Sequence, residues 1–214
     1  MNCALNQQFY FKTFLITLLS FLLLFSISCK KNPTEPESED LTATIPTATG
    51  DPATDLTDAY YRGTLSLTSH SVNATSGVTK EELENDILSQ GDMTLYLNIT
   101  NNNLKYEHYY SSEVEGLNAE QVQQTIERML NSSAAVQLLK SGSKYSVSEF
   151  VDDGFNKIKV YIEFTISGDN ISITYIYGIS TDVVDDVDGT NYKYSYKTTY
   201  EGTLTKYTPT TSGS

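Results

Sequence analysis

Residues 156–167 read NKIKVYIEFTIS, and every second position is apolar: Ile158, Val160, Ile162, Phe164 and Ile166. Lys157, Lys159, Tyr161, Glu163 and Thr165 fall between them. Successive side chains of a strand point to opposite faces, so this stretch reads as a strand with one buried and one wet face. Two-faced strands of this kind belong to antiparallel sheets. Residues 92–100 repeat the pattern through Met93, Leu95, Leu97 and Ile99, and further strands are expected at 59–68, 104–111, 144–151, 171–179 and 191–207. Asn101-Asn102-Asn103, Asp152-Asp153-Gly154 and Ser167-Gly168-Asp169-Asn170 separate consecutive strands. Asn, Asp and Gly tolerate the positive φ of tight turns, which makes these connections hairpins. The expected fold is therefore mainly β, an antiparallel meander of about seven to eight strands forming a barrel or a strongly curved sheet.

Two helices should pack on it. The longer is expected over about 119–139: Asn118 can cap it, and Val122, Ile126, Met129 and Leu130 make one apolar stripe. The shorter, about 80–89, starts with the capping-box pair Thr79 and Glu82. The β-rich body opens and closes on one motif, Tyr61-Arg62-Gly63-Thr64-Leu65-Ser66 and Tyr200-Glu201-Gly202-Thr203-Leu204-Thr205. Glycine inside a strand marks a bend or a close backbone approach. Similar first and last strands could meet at the seam of a closed barrel, which removes both edges. The alternative is an open sheet with a helix across it. A β body opening and closing on Y-x-G-T-L is similar to the calycin-like (lipocalin-like) domains of bacterial lipoproteins, although it lacks their G-x-W. The resemblance implies a barrel with an interior that can hold a ligand.

The N-terminus carries a different signal. Between Lys12 and Lys30 there is no charge, and residues 14–27 read FLITLLSFLLLFSI. Spanning a bilayer takes about 20 helical residues, so a mainly apolar run of fourteen suits a cleaved signal peptide, residues 1–28. Small residues run up to Cys29, and this ending resembles the lipobox of bacterial lipoproteins. That resemblance implies cleavage before Cys29, acyl chains (palmitate among them) on Cys29, and the membrane as a partner through those chains. Lys30 after the cysteine would point to the outer membrane in a two-membrane cell. Residues 29–57, rich in Pro, Thr, Ser and Glu, read as a disordered tether, 58–207 as one β-rich domain, and 208–214 as a second disordered tail.

Composition narrows function. The chain has 214 residues, with 14 Lys+Arg against 27 Asp+Glu and a formal charge of −13. Nucleic acid needs clustered cations and is not an expected partner. Two cysteines and two histidines leave no disulfide framework or zinc set, and Cys3 is removed with the signal peptide. No nucleophile–base set or phosphate loop is present, so an enzyme, a cofactor or a catalytic residue is not expected. The acidic loop 182–188 lacks the terminal carboxylates of a calcium loop, and no metal site is assigned. Sixteen tyrosines are the remaining signal. Tyr106, His108 and Tyr110 share one strand face, and Tyr175 and Tyr177 another. Lining a cavity, these five would bury an apolar ligand while polar tips orient it. As aromatic ladders, they would only stabilise the sheet. Two functions follow: a lipoprotein binding an apolar or amphipathic small molecule or lipid, or a non-catalytic surface or envelope interaction lipoprotein with a filled core. A protein partner is not identified.

Overall fold

The computed structural model describes residues 39–184 and 189–210. The expected signal peptide, Cys29, the expected tether up to residue 38, residues 185–188 of the acidic loop and residues 211–214 lie outside them.

The described chain is mainly β, with ten strands in one antiparallel, nearly closed sheet. In chain order these are β1 (Asp51–Pro52), β2 (Ala59–Ser76), β3 (Met93–Thr100), β4 (Asn103–Tyr110), β5 (Val136–Gln137), β6 (Leu139–Ser141), β7 (Lys144–Asp152), β8 (Asn156–Ser167), β9 (Asn170–Val184) and β10 (Asn191–Tyr207). Their order around the sheet is β1-β6-β7-β8-β9-β10-β2-β3-β4-β5. The seven long strands are those the alternation predicts. The count exceeds seven to eight because β1, β5 and β6 are two or three residues long, too short to carry a period. β5 and β6 nearly join the two ends of the sheet. β5 pairs with β4, β6 pairs with β7, and Leu138 between them donates its N–H to the Asn102 carbonyl at 3.3 Å and accepts from Ala53 N–H at 2.9 Å.

The repeated motif lies where β2 and β10 meet. Gly202 pairs with Leu65 and Glu201 with Ser66, so the two copies run past each other. A Cβ on Gly63 would stand 2.4 Å from the Thr203 carbonyl oxygen, and one on Gly202 would stand 2.8 Å from that of Thr64. Each glycine makes room for the other strand's backbone. His70, beyond the expected strand 59–68, lies in β2 opposite Thr198, because β2 continues to Ser76 along the long β10.

One core fills the inside. Leu65, Met93, Leu95, Leu97, Ile99, Leu104, Ile162, Phe164 and Leu204 are all at most 1% exposed. A second, smaller core lies on the outside. Helix α2 (Ala119–Ser132) sets Ile126 and Leu130 against Tyr96, with Val122, Met129, Tyr60, Tyr109 and Tyr207 around them. The predicted stripe is the face that docks, but it lies on the outer side of the sheet and covers no opening. The helix also stops at Ser132, short of 139. Ser133 turns extended and its hydroxyl binds Glu107 and the Met129 carbonyl, which frees the following residues for β5 and β6. Helix α1 (Lys80–Gln90) carries the predicted capping box and buries Leu83 and Ile87.

Residues 39–57, expected as part of a disordered tether, form an arm packed on the sheet. Leu41, Ile45 and Ala53 are buried. Ser195 Oγ donates to the Glu39 carbonyl at 2.6 Å, Lys157 pairs with Asp40 at 3.0 Å, and Lys159 Nζ donates to the Ile45 carbonyl at 2.8 Å. At its other end, Asp55 binds Lys140 and the Tyr145 hydroxyl. A few apolar side chains with the right partners outweigh a polar composition. The tail also begins ordered, with Thr210 N–H and hydroxyl donating to buried Glu127 at 3.0 and 2.9 Å.

Gly178 is the arm's seat: a Cβ there would fall 2.6 Å from Ile45 Cδ1. Gly178→Val should therefore displace Ile45. Limited proteolysis should then cut between residues 39 and 50 while leaving 58–207 intact, and an arm as resistant as the wild type's would contradict this seating.

Candidate functional site

Alternation along four strands sends one set of polar and aromatic groups inward. On β4 these are Tyr106, His108 and Tyr110, opposite Leu97, Leu95 and Met93 of β3. On β9 they are Tyr175 and Tyr177, opposite Tyr200 and Thr198 of β10. In the sheet order β4 and β9 are separated by β10, β2 and β3, which brings their inner faces toward each other across the interior.

The five residues expected from sequence do meet. Ring centroids are 6.3 Å apart for Tyr106 and Tyr175, 5.6 Å for His108 and Tyr175, and 5.3 Å for His108 and Tyr110. Tyr110 stands 5.9 Å from Tyr200, and Tyr177 stands 6.0 Å from Tyr196, which extends the group to β10. These edge-on and tilted contacts are the preferred arrangements of aromatic rings.

Tyr196, Tyr200 and Glu149 complete the set and were not among the expected site residues. All three have a signal in the sequence. Tyr196 and Tyr200 keep the inward phase of β10, and Glu149 keeps that of Tyr145, Val147 and Val151 on β7. Glu149 accepts the hydrogen bond of the Tyr106 hydroxyl. This contact bridges a gap in the sheet. β5 pairs only with Asn103 and Leu104 of β4, and β6 only with Lys144, Tyr145 and Ser146 of β7. Among the described residues, no strand lies between 105–110 of β4 and 147–152 of β7. The Tyr106–Glu149 hydrogen bond therefore spans a slot in the wall.

Burial differs along the interior. Tyr175 and Tyr200 are fully buried, at 1% and 0% exposure. Tyr106, His108, Tyr110, Tyr177 and Tyr196 face inward yet are only half-buried, so water reaches them. The aliphatic end of the core is closed to water, and the aromatic end is partly open to it.

Burial also sets the charges. It raises the phenols of Tyr106, Tyr110, Tyr175, Tyr177 and Tyr196 above their ordinary value, and the Glu149 contact adds to the shift at Tyr106. All five are neutral donors at pH 7. Burial lowers the His108 imidazole to about 4, so it too is neutral. The Tyr200 hydroxyl is buried without a hydrogen-bond partner among the described residues.

The His108 shift predicts a pH dependence. The unfolded chain binds the proton near 6.5 and the folded chain near 4, so stability is highest above pH 6.5 and falls as pH drops through that window. The ceiling of the loss is about 3 kcal/mol, lowered by the water that reaches the ring. His108→Gln should flatten the stability curve between pH 6.5 and 4 in denaturant titrations. An unchanged slope would mean that His108 titrates normally in the folded protein.

Elsewhere the surface offers little. The outer face of β7–β10 has a shallow depression of about 310 Å³ edged by Lys144, Glu163, Thr174 and Glu201. Lys144 and Glu163 form an ion pair at 2.7 Å, and Glu201 accepts from the Thr174 hydroxyl at 3.4 Å. Asp182 belongs to β9 rather than to a loop and pairs with Lys193 at 3.4 Å. Cys29 lies outside the described residues. No protein-family model, curated protein or solved structure matches the chain.

Proposed function

We propose that the chain is a bacterial lipoprotein, anchored through acyl chains on Cys29, whose β domain holds an apolar or amphipathic small molecule or lipid. One observation carries the binding reading: five inward-facing aromatic side chains at one end of the interior remain half-buried. A filled core would bury them, as it buries the aliphatic end. The wall slot between β4 and β7 supplies a route, and the uncharged phenols would orient a ligand without a metal or cofactor.

The anchor reading rests on the residues leading to Cys29. Ten residue steps separate Cys29 from Glu39, where the arm begins. A chain of that length reaches at most about 35 Å, so acyl chains at Cys29 would hold the domain close to the envelope membrane. In a two-membrane cell we assign it to the outer one. Cys29→Ser should move the protein out of the membrane fraction and abolish incorporation of labelled palmitate. Retention of both would contradict the anchor.

The binding reading is tested with N-phenyl-1-naphthylamine, a neutral apolar fluorophore, on residues 37–214. These residues contain both cores complete. The expected result is saturable binding to one site that His108→Trp, which fills the interior, abolishes. Absence of saturable binding would favour the second reading, a non-catalytic surface or envelope interaction protein. The filled aliphatic end supports that reading, as do Phe150, Val151 and Phe155, which are 56%, 58% and 36% exposed near one turn.

A further inference from the structure

The inward positions of the seven long strands carry two charged residues, Glu149 on β7 and Lys206 at the exposed end of β10. On β2 they are Ala59, Tyr61, Gly63, Leu65 and Leu67, then His70, Val72 and Ala74 beyond a register shift. β3 contributes Met93, Leu95, Leu97 and Ile99, and β8 contributes Asn156, Ile158, Val160, Ile162, Phe164 and Ile166. The other lysines of β7, β8 and β10 fall on the opposite phase: Lys144, Lys157, Lys159, Lys193 and Lys197. Glu149 is the one carboxyl group among these inward positions, and no lysine or arginine pairs with it there. Its hydrogen-bond partner is a neutral phenol, Tyr106.

A carboxylate held among aromatic faces is poorly compensated unless something positive joins it. Aromatic rings attract cations through their negative faces, and the attraction grows as water is excluded. Here Tyr106, Tyr110 and Tyr175 lie round His108, with centroids 5.3–6.3 Å apart. Glu149 stands at the lip of the slot beside them. The Tyr200 hydroxyl, buried and unpartnered among the described residues, adds an oxygen able to accept from an N–H group. An anionic ligand such as a fatty acid would instead meet Glu149 and find no counter-charge beside it, since Lys206 lies at the exposed end of β10.

We propose that the interior selects an organic cation, an ammonium group on an apolar body, with Glu149 as the charge partner and the tyrosine rings as the wall. The inference rests on the binding reading above and specifies its ligand. The ammonium would enter by the β4–β7 slot and sit against Glu149, while its apolar part lies along Tyr110, Tyr177 and Tyr196. Tyr106 would keep the carboxylate in place.

The test compares four probes on residues 37–214 by titration calorimetry at pH 7, each below its micelle concentration. They are dodecyltrimethylammonium, dodecanol, dodecanoate and tetramethylammonium. The expected order is dodecyltrimethylammonium at least tenfold tighter than dodecanol, with dodecanoate weakest. Glu149→Gln keeps the size and an acceptor for Tyr106 while removing the charge. It should abolish the tenfold preference and leave dodecanol binding unchanged. Competition by tetramethylammonium would assign the site to a free small cation, and competition only by the tailed probe would assign it to a lipid-like amine; either supports the inference. Equal binding of cation and alcohol, or a preference that survives Glu149→Gln, would overturn it while the carrier reading stands. Binding of none of the four would overturn both.

Discussion

Gly63→Ala should lower the stability of the domain by about 3 kcal/mol, the upper part of the range for overpacking a close contact. The added methyl would fall 2.4 Å from the Thr203 carbonyl oxygen and 3.0 Å from the Leu204 Cα, both backbone atoms. A flexible side chain could swing away, but these atoms are held in the sheet, with β10 also paired to β9. Gly63 itself pairs with Leu95 on its other side, so β2 cannot retreat without straining β3. In a domain of this size the loss corresponds to a fall in Tm of roughly 6–12 °C. Ser66→Ala, on the outer face of the same strand, should stay within about 0.5 kcal/mol of the wild type. Gly202→Ala should behave like Gly63→Ala, and the double variant should be less than additive, because either change already forces the strands apart. A loss below about 0.5 kcal/mol for both single variants would mean that the two motif strands do not approach as closely as described.

Tyr96→Ala should cost about 3–5 kcal/mol, the range for deleting a buried aromatic ring. Tyr96 is 2% exposed although it lies on the outer face of β3, because α2 covers it. Its ring stands 6.2 Å from Tyr109 and 5.9 Å from Tyr207, and Tyr207 also receives the Arg62 guanidinium 5.1 Å from its ring centre. Removing the ring therefore leaves a cavity under Ile126 and Leu130. Hydrogen exchange should show α2 losing protection, with β8 and β9 remaining protected at low denaturant. Loss of protection at Tyr175 and Tyr177 instead would mean that the helix covers the interior and not the outer face.

The main strands were legible because each is long enough to repeat a two-residue period and sits between Asn, Asp or Gly turns. Asn101 and Asn102 do adopt positive φ, 49° and 59°. Contacts distant in sequence were not legible. Leu138 is fully buried because it links the two ends of the sheet, yet its neighbours read as the tail of a helix. Leu41 and Ile45 sit in a Thr- and Pro-rich stretch, and only Gly178 and Ser195 on the far strands explain their burial. The five aromatic site residues were legible from strand phase alone. That they converge depends on which strands face each other, which phase does not encode. Glu149 was readable as a charge in phase with Tyr145 and Val147. Its importance appears only once Tyr106 is seen to reach it across the slot.

The central claim is that the interior holds a molecule, and native mass spectrometry of residues 37–214, released gently from non-denaturing buffer, tests it most directly. The account predicts an added mass that co-purifies with the protein and is stripped by organic solvent. A bare protein mass, unchanged after incubation with lipid extracts and alkylammonium probes, would contradict it and leave a filled barrel whose role lies on its surface.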